Sequence, residues 1–499
     1  MIKEKILKHD NILMILIILI ITSTTVGMGR LLIGDELWNF STIYKMYNGY
    51  IIYKDLNVLV TPLYFFIGNL IFHLLGANYL SYRIYERIII NSFLFFSIYI
   101  LFKKIKIKKE NAMEFTIFIA ILWMAYMQIS TYNINAIIFV IIGIIIEISD
   151  YKKTYKKNII QGIVIFLILI TKQNIGIYYI LGILTYNFIK LGNLKTKIKS
   201  IITTLSTTSI ILIIFIIYLQ QKGILNDFIS LTFGGVKEFA NKNILSEYLW
   251  LFLVIFEVFI EIIFIKTTYS KKICLTDKEK NDIRFILITA LFMSLIAFPI
   301  ANEAHALYVT IIFIISFIYF INKIYIADIL NKNNKIQKIN RIIMCTIIFC
   351  ELIINLSLNV SYYKNIHKNT YYFNKDNPYY GVIAKDETIK EIADVCSYIK
   401  EQNDNGVDVK IISCYSNLYM NILKRNNGKM DLPFNGNLGK EGEDGLIINI
   451  SELKNTKILI LNDNENNYGY QESKKVIAYI KENLEYTGDF GRFSIYYKK

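Results

Sequence analysis

Runs of apolar residues separated by short polar connectors fill the first 358 residues of the chain. An apolar run of about 20 residues can cross the hydrocarbon core of a bilayer as one helix. The pattern predicts eleven spans, at 11–29, 88–102, 112–128, 134–149, 159–171, 175–189, 200–219, 246–265, 285–301, 306–322 and 342–358. The predicted fold class is a polytopic α-helical membrane protein, and a composition that is 54% hydrophobic with only 4 prolines agrees with it.

The pattern changes in kind after residue 358. The polar tail contains two amphipathic helix patterns and three short β patterns, at 388–402, 471–483, 409–415, 457–462 and 493–497. The glycine-rich stretch PFNGNLGKEGEDG lacks the Lys-Ser ending of a nucleotide-binding loop and is more typical of a surface loop. We therefore predict two domains, a transmembrane domain at 1–358 and a small extracytoplasmic α/β domain at 359–499.

The distribution of charge sets the expected orientation of the spans. The net charge is +15, but residues 359–499 hold 19 basic and 19 acidic residues, so the whole excess lies in 1–358. The positive-inside rule assigns five basic connectors to the cytoplasm: 103–109, 151–157, 190–199, 266–284 and 323–341. The connectors STYNIN, TKQNIG, 220–245 and NEAHA carry little charge, so they and the tail are expected outside. Charge that belongs to membrane loops gives no support to a nucleic-acid partner.

The apolar segment 58–76 does not fit this alternation as a span, because counting it would place every later lysine-rich connector outside. Its Pro62 and its polar residues favour a helix that lies in the interface or dips back out. The short runs 159–171 and 175–189 are interpreted as a hairpin, since both flanks of the pair are basic. The N-terminal run has no small-residue cleavage site and is interpreted as a retained helix with its basic end inside.

The five cysteines form neither a CxxC motif nor a pattern with metal-ligand spacing. The sequence therefore predicts no zinc site and no disulfide framework. Cys396 and Cys414 can pair if their domain is extracytoplasmic, although two free buried thiols are the favoured interpretation.

The acidic pair Asp35-Glu36 follows the first span almost at once, in GDELWNFSTIYKMYNGYIIYKD. Residues 34–48 have the pattern of an amphipathic helix that can lie along the membrane. One interpretation makes Asp35 a general base, because a carboxylate beside a low-dielectric interface has a raised proton affinity and can accept a proton from an attacking hydroxyl. The other makes it a cap for the helix N-terminus.

The order of a hydrophobic helix, DE, NGYIIYKD, TPLYFFIGNLIFHLLG and YLSYRIYER resembles the GT-C membrane glycosyltransferases, which include the protein O-mannosyltransferases and the lipid A aminoarabinose transferase. The resemblance covers the membrane region and is strongest in 30–105. In that family the acidic residue after the first helix is the catalytic or acceptor-orienting carboxylate. The resemblance implies this role for Asp35, with Glu36 as the second acidic position. The family also lays two helices along the membrane in its first outer loop, as expected here for 58–76.

The sequence departs from the family in two places. Many relatives have a basic residue before the proline of the second loop helix, whereas Thr61 stands here, so a phosphate contact is missing or moved. Metal-dependent members place an acidic residue in the second outer loop, which reads STYNINA in this chain. We therefore expect no cofactor, and in particular no divalent metal. Asn133 and Asn135 in that loop can bind sugar hydroxyls or serve a tight turn.

Four further residues are candidates for contact with the donor. Lys172 lies on the predicted outer side, where it either binds a lipid phosphate or extends to the interface. Arg83 and Arg87 have the same two interpretations, and Arg87 can also pair with Glu86. The resemblance nominates His305 for donor phosphate or sugar contact, although a lone interfacial histidine is more often structural.

The resemblance implies a polyprenyl-phosphate sugar as donor, since nucleotide sugars are not normally available on the outer face. The predicted reaction is an inverting transfer to a hydroxyl of a lipid, protein or cell-envelope polymer, on the outer face of the cytoplasmic membrane. Asp35 would orient or deprotonate the acceptor, and the cationic residues would stabilise the phosphate. One alternative, a lipid or sugar transporter, predicts charges near the middle of several spans and inverted repeats. The other, a membrane-anchored binding protein, would not need eleven spans.

Overall fold

The computed structural model describes most of the chain: residues 10–24, 34–126, 131–150, 154–190, 193–235, 248–269, 275–298, 301–323, 370–372, 376–413, 415–431, 437–462 and 473–499. The chain forms two compact units. The membrane unit consists of Met1–Gly27, Glu86–Phe215 and Asn243–Asn359. The tail unit consists of Met28–Tyr85, Ile216–Lys242 and Val360–Lys499.

Apolar helices make up the membrane unit, and the predicted spans between 11 and 322 each overlap one. The helices are Asp10–Ser23, Tyr79–Lys104 (which begins in the tail unit), Lys109–Tyr126, Tyr132–Ile148, Thr154–Thr171, Gln173–Ile189, Leu194–Gln221 (which ends in the tail unit), Tyr248–Thr267, Asp277–Met293 and Glu303–Ile321. Five are long and apolar enough to cross a membrane: Tyr79–Lys104, Thr154–Thr171, Leu194–Gln221, Tyr248–Thr267 and Glu303–Ile321. The chain is therefore a multi-pass membrane protein. The predicted span 342–358 lies outside the described residues, and the count of eleven stays a prediction.

Small residues allow close approach between helices of the membrane unit. A Cβ on Gly162 would lie 2.6 Å from the carbonyl oxygen of Thr204, so only glycine fits at this crossing. The Thr208 hydroxyl donates a hydrogen bond to the Gly162 carbonyl at 3.0 Å. Small residues combined with hydroxyl hydrogen bonds are a common way to pack helices in lipid.

The tail unit contains a mixed four-stranded sheet in the order β3-β4-β6-β5. Its strands are β3 (Asp408–Ile412), β4 (Thr456–Leu461), β5 (Glu485–Phe490) and β6 (Phe493–Lys498). Strands β3 and β4 are parallel, and the remaining pairs are antiparallel. Two short strands, β1 (Thr370–Tyr372) and β2 (Ile383–Lys385), pair separately. The tail helices are Asp386–Asp404, Ser416–Ile422, Gly442–Ser451 and Lys474–Asn483.

One side of this sheet is covered by the last two tail helices. The core between them consists of Ile412, Met430, Leu446, Ile450, Ile458, Ile460, Val476, Ile480, Leu484 and Tyr496. The amphipathic patterns predicted the tail helices Asp386–Asp404 and Lys474–Asn483 and strands β3, β4 and β6. Helix Gly442–Ser451 was missed, because its first residues belong to the glycine-rich stretch that was interpreted as a surface loop. The boundary at residue 359 between two predicted domains stays a prediction.

The first loop contributes two helices to the tail unit, Asp35–Tyr47 and Leu63–Leu75. The second has 13 residues and is about 20 Å long, which is short of a bilayer core. Both of its flanks bond to the tail: the Asn57 side chain donates to the Lys429 carbonyl at 2.8 Å, and the Tyr79 amide donates to the Pro378 carbonyl at 2.8 Å. Because both flanks of the segment bond to the same unit, the structure supports the prediction that 58–76 does not cross.

Helix Leu63–Leu75 also has the surface expected of an interfacial helix. Tyr64, Phe65 and Phe72 are fully buried in the tail unit. Leu70 and Leu74, one turn apart on another face, are 59% and 69% exposed. An apolar stripe exposed beside a buried one suits a helix whose outer face lies in the lipid interface.

Candidate functional site

The first turn of helix Asp35–Tyr47 carries both acidic residues of the predicted site. Gly34 is the N-cap residue, with a φ of 87° that favours glycine, so Asp35 is the first residue of the helix and does not occupy the cap position. Two carboxylates in a first turn interact favourably with the positive end of the helix dipole. Asp35 is exposed, whereas Glu36 is 0% exposed. The two adjacent acids therefore occupy opposite environments.

Glu36 pairs with Arg83, one of the arginines that the sequence nominated for a phosphate. The Arg83 Nε donates to the Glu36 Oε1 at 3.0 Å, and Arg83 is 1% exposed. The guanidinium carbon also lies 4.8 Å from the centre of the Tyr79 ring, which is a cation–π distance. The structure thus joins two of the predicted site residues in one buried ion pair and leaves Asp35 as the accessible carboxylate of the doublet.

Residues of the tail hold the middle of this helix. The Ser41 hydroxyl donates to the Asn421 Oδ1 at 3.0 Å. The Lys45 ammonium donates to the Asn417 Oδ1 at 2.8 Å and pairs with the Asp431 carboxylate. All five side chains are at least nine-tenths buried. Sequence reasoning missed these tail residues, because asparagine in a short helix carries no pattern that names a partner 380 residues away.

The Lys45 ammonium is buried beside a carboxylate of opposite charge. Burial lowers the pKa of Lys45 below its usual value, and the Asp431 carboxylate opposes that shift in part. From sequence alone, a lysine in an amphipathic helix is expected on the solvated face. Only the tertiary contact with Asp431 shows its structural role.

Asn39 lies between these two groups of contacts, on the same helix. It is 0% exposed, and within the described part of the chain neither its Oδ1 nor its Nδ2 has a hydrogen-bond partner. Buried amides are nearly always bonded. Asn39 shares a helix face with Asp35, one turn away.

Three other predicted residues, Asn133, Lys172 and His305, come together in the membrane unit. The Lys172 ammonium lies 4.6 Å from the centre of the Tyr132 ring and within electrostatic range of His305. The Tyr308 hydroxyl, one turn beyond His305, lies 3.2 Å from the Thr131 hydroxyl.

Each of these residues stands at the beginning of a helix. Thr131 is the N-cap residue of helix Tyr132–Ile148 and accepts from the Asn133 amide at 3.3 Å. Lys172 is the N-cap residue of helix Gln173–Ile189. Asn302 is a third N-cap, which accepts from the His305 amide at 3.0 Å and lies 2.7 Å from its Nδ1. Three helix N-termini with a lysine among them are electrostatically suited to an anion. The connectors that meet here are STYNIN, TKQNIG and NEAHA, all assigned to one side by charge.

The other predicted residues of the membrane unit are buried. Arg87 and Glu86 are 0% exposed and lie in the π-helical turn Ile84–Ile90. Asn135 is 7% exposed, next to the buried N-terminus of helix Tyr132–Ile148. Among the residues that the structure describes, no group of three or more His, Cys, Asp or Glu side chains could hold a metal ion.

The sequence matches no protein-family model and no curated protein. Among solved structures, the chain is similar to the crystal structure of ArnT from Cupriavidus metallidurans in the apo state. The two chains share 9% sequence identity, the alignment covers 97% of each, and the TM-score is 0.43. A likeness of this strength does not establish a common fold.

Proposed function

We propose that this protein is a membrane glycosyltransferase that transfers a sugar from a polyprenyl-phosphate donor to an acceptor hydroxyl at the outer face of the cytoplasmic membrane. The observation that carries the proposal is Asp35, an exposed carboxylate at the start of an otherwise buried helix. It stands in the sequence context that resembles the GT-C enzymes. Exposure gives it access to a substrate, and the Glu36–Arg83 pair fixes the turn on which it lies.

The proposed chemistry is a single displacement. The acceptor oxygen attacks the anomeric carbon of the donor, and Asp35 accepts the proton of that hydroxyl. The bond between the anomeric carbon and the phosphate oxygen breaks, and the polyprenyl phosphate leaves with the electron pair. Attack opposite to the leaving group inverts the anomeric configuration.

In the membrane unit, we assign Lys172 to the donor phosphate. The ammonium lies at a helix N-terminus and near two others, so its charge adds to that of the helix dipoles. A fixed cation stabilises the charge that develops on a departing phosphate. His305 and Asn133 lie in the same cluster and would contact the phosphate or the sugar.

The decisive experiment measures sugar transfer from labelled polyprenyl-phosphate donors in purified membranes. Asp35→Asn should lower the rate by about 10²–10⁴-fold, the usual contribution of a general base. Asp55→Asn is the matched control, because it makes the same change in the same loop. Among the described residues, the Asp55 carboxylate accepts one local hydrogen bond, from the Ile51 amide at 2.7 Å. Transfer by Asp35→Asn at a near wild-type rate would refute the catalytic assignment.

A second comparison tests the donor-phosphate assignment. Lys190 lies at the other end of the Lys172 helix and also stacks on a tyrosine, with its ammonium 5.3 Å from the Tyr186 ring centre. We expect Lys172→Gln to raise the KM for the donor and Lys190→Gln to leave it unchanged. Equal effects of the two substitutions would favour an interfacial role for Lys172.

A further inference from the structure

The tail unit contains a buried polar connection between the helix that carries Asp35 and the C-terminal tail. Ser41 and Lys45 are one turn apart on helix Asp35–Tyr47, and Asn421 and Asn417 are one turn apart on helix Ser416–Ile422. Ser41 bonds to Asn421 and Lys45 bonds to Asn417, at 3.0 and 2.8 Å. The bonds therefore run between two facing helices in antiparallel register.

Further hydrogen bonds orient the tail side of this connection. The Asn421 Nδ2 donates to the Tyr379 hydroxyl at 3.0 Å, and that hydroxyl donates to the Asn417 carbonyl at 3.0 Å. The side-chain amide of Asn421 is thus hydrogen-bonded at both its oxygen and its nitrogen, with the oxygen facing Ser41. Tyr379 is 0% exposed, and its ring centre lies 5.5 Å from that of Phe40.

Because the connection is buried, it restricts the movement of helix Asp35–Tyr47. A hydrogen bond between buried groups is costly to break, because no water replaces the lost partner. Helix Asp35–Tyr47 cannot rotate or slide without leaving Ser41 or Lys45 unpaired. Its first turn lies six residues, or about 9 Å, before Ser41. A fixed rotation at Ser41 therefore fixes the direction in which Asp35 points.

We propose that Ser41, Asn421 and Tyr379 are positioning residues, which set the orientation of Asp35 through helix Asp35–Tyr47. The inference rests on the catalytic role proposed for Asp35. The tail is then a part of the catalytic unit rather than an appended binding module. Small errors in the placement of a reacting group cost large factors in rate, about 10²-fold for 1 Å.

The test compares hydroxyl deletions in the full-length protein. Ser41→Ala removes the bond to Asn421, and Tyr379→Phe removes the hydroxyl that orients Asn421 while it keeps the ring against Phe40. Ser473→Ala is the matched control. It deletes a buried tail hydroxyl that caps helix Lys474–Asn483 and donates to Glu443 at 2.7 Å. Among the described residues, this hydroxyl forms no hydrogen bond with helix Asp35–Tyr47.

We expect Ser41→Ala to lower kcat about ten-fold at an unchanged donor KM, within the range for misplaced groups. Tyr379→Phe should lower kcat less, and Ser473→Ala should lower only the thermal midpoint. If all three variants lose thermal stability but keep the wild-type kcat, the connection only stabilises the fold and the positioning role is wrong. In that case Asp35→Asn remains inactive and the proposed function stands. If Asp35→Asn is active, both proposals fall.

Discussion

The Nε of Arg83 lies 3.0 Å from the Oε1 of Glu36, and neither side chain is more than 1% exposed. A buried ion pair loses the hydration of both charges, so its net contribution to stability is small. Removal of one partner is more costly, because the other charge stays buried and loses its ion pair. The adjacent Asp35 is exposed and does not carry this constraint.

We predict that Arg83→Met lowers the free energy of unfolding by about 3–5 kcal/mol, the usual cost of breaking a buried ion pair by removing one partner. Glu36→Met should cost a similar amount. The double variant should be more stable than either single variant, since neither charge of this pair is then left buried. Thermal unfolding in detergent measures all three. Additive losses in the double variant would show that the two residues do not interact.

Asn39 provides a test of an unsatisfied buried amide. Asn39→Leu should leave stability unchanged or raise it by about 1–3 kcal/mol, because the amide loses its hydration and gains no bond to the described residues. Asn421→Leu is the matched control, since that buried amide is bonded at both ends, and it should lower stability by a similar amount. Equal destabilisation by both substitutions would show that Asn39 has a partner in the native protein, such as a bound water.

Sequence patterns anticipated the elements of this fold far better than their contacts. Continuous apolar runs located the membrane helices, and loop charge separated 58–76 from the spans. Strand β5 was missed because most of its side chains are exposed and polar, so it has no alternating pattern. Helix Ser416–Ile422 was missed because it has only 7 residues, fewer than a periodicity can reveal.

In the candidate site too, the sequence indicated the residues but not their contacts. The position of Asp35 after the first span was enough to nominate it. The partner of Glu36 was not evident, because Arg83 lies 47 residues away and its charge suits a phosphate equally well. A sequence states which residues can ionise, whereas burial and distance decide which charges neutralise each other.

Lys45 predicts a specific dependence of stability on pH. Its pKa is lowered in the folded state because the ammonium is buried, so between that value and the ordinary value of 10.5 the unfolded state binds more protons. Stability from this group therefore rises with pH in that window. We expect the difference in thermal midpoint between the wild type and Lys45→Met to grow as the pH is raised from about 8 toward 10. A difference that shrinks over this range would mean that the ion pair with Asp431 raises the pKa instead.

Cys396 should be an unreactive thiol in the native protein. It is free and 9% exposed, and burial raises its pKa to about 12. At pH 8 only about one part in ten thousand is then thiolate, the reactive form. A variant that keeps Cys396 and replaces the other four cysteines by serine should react with a disulfide reagent only after denaturation. Cys414, the other half of the predicted alternative pairing, lies outside the described residues. Rapid reaction of the native variant would show that the helix Asp386–Asp404 opens.

Two glutamates in the span Tyr248–Thr267 accept hydrogen bonds from a neighbouring helix. The Thr310 hydroxyl donates to Glu257 at 2.7 Å, and the Ser316 hydroxyl donates to Glu261. Both glutamates are buried, at 3% and 2% exposure, while apolar residues of the same helix such as Phe252 are exposed. The carboxyl groups therefore face helix Glu303–Ile321 rather than lipid, and their hydrogen bonds join the two spans.

Thr310→Val keeps the shape of the side chain and removes the donor, so it should lower stability by about 0.6–2 kcal/mol, the range for hydrogen bonds between membrane helices. Thr310→Ser keeps the hydroxyl and should lose less. Glu257→Gln keeps an oxygen acceptor without a charge to bury, so it should be as stable as the wild type or more so. Thermal unfolding in one detergent compares the three variants. A large loss of stability in Glu257→Gln would instead require an ionised Glu257 with a cationic partner, and the hydrogen bond to Thr310 would then be the lesser interaction.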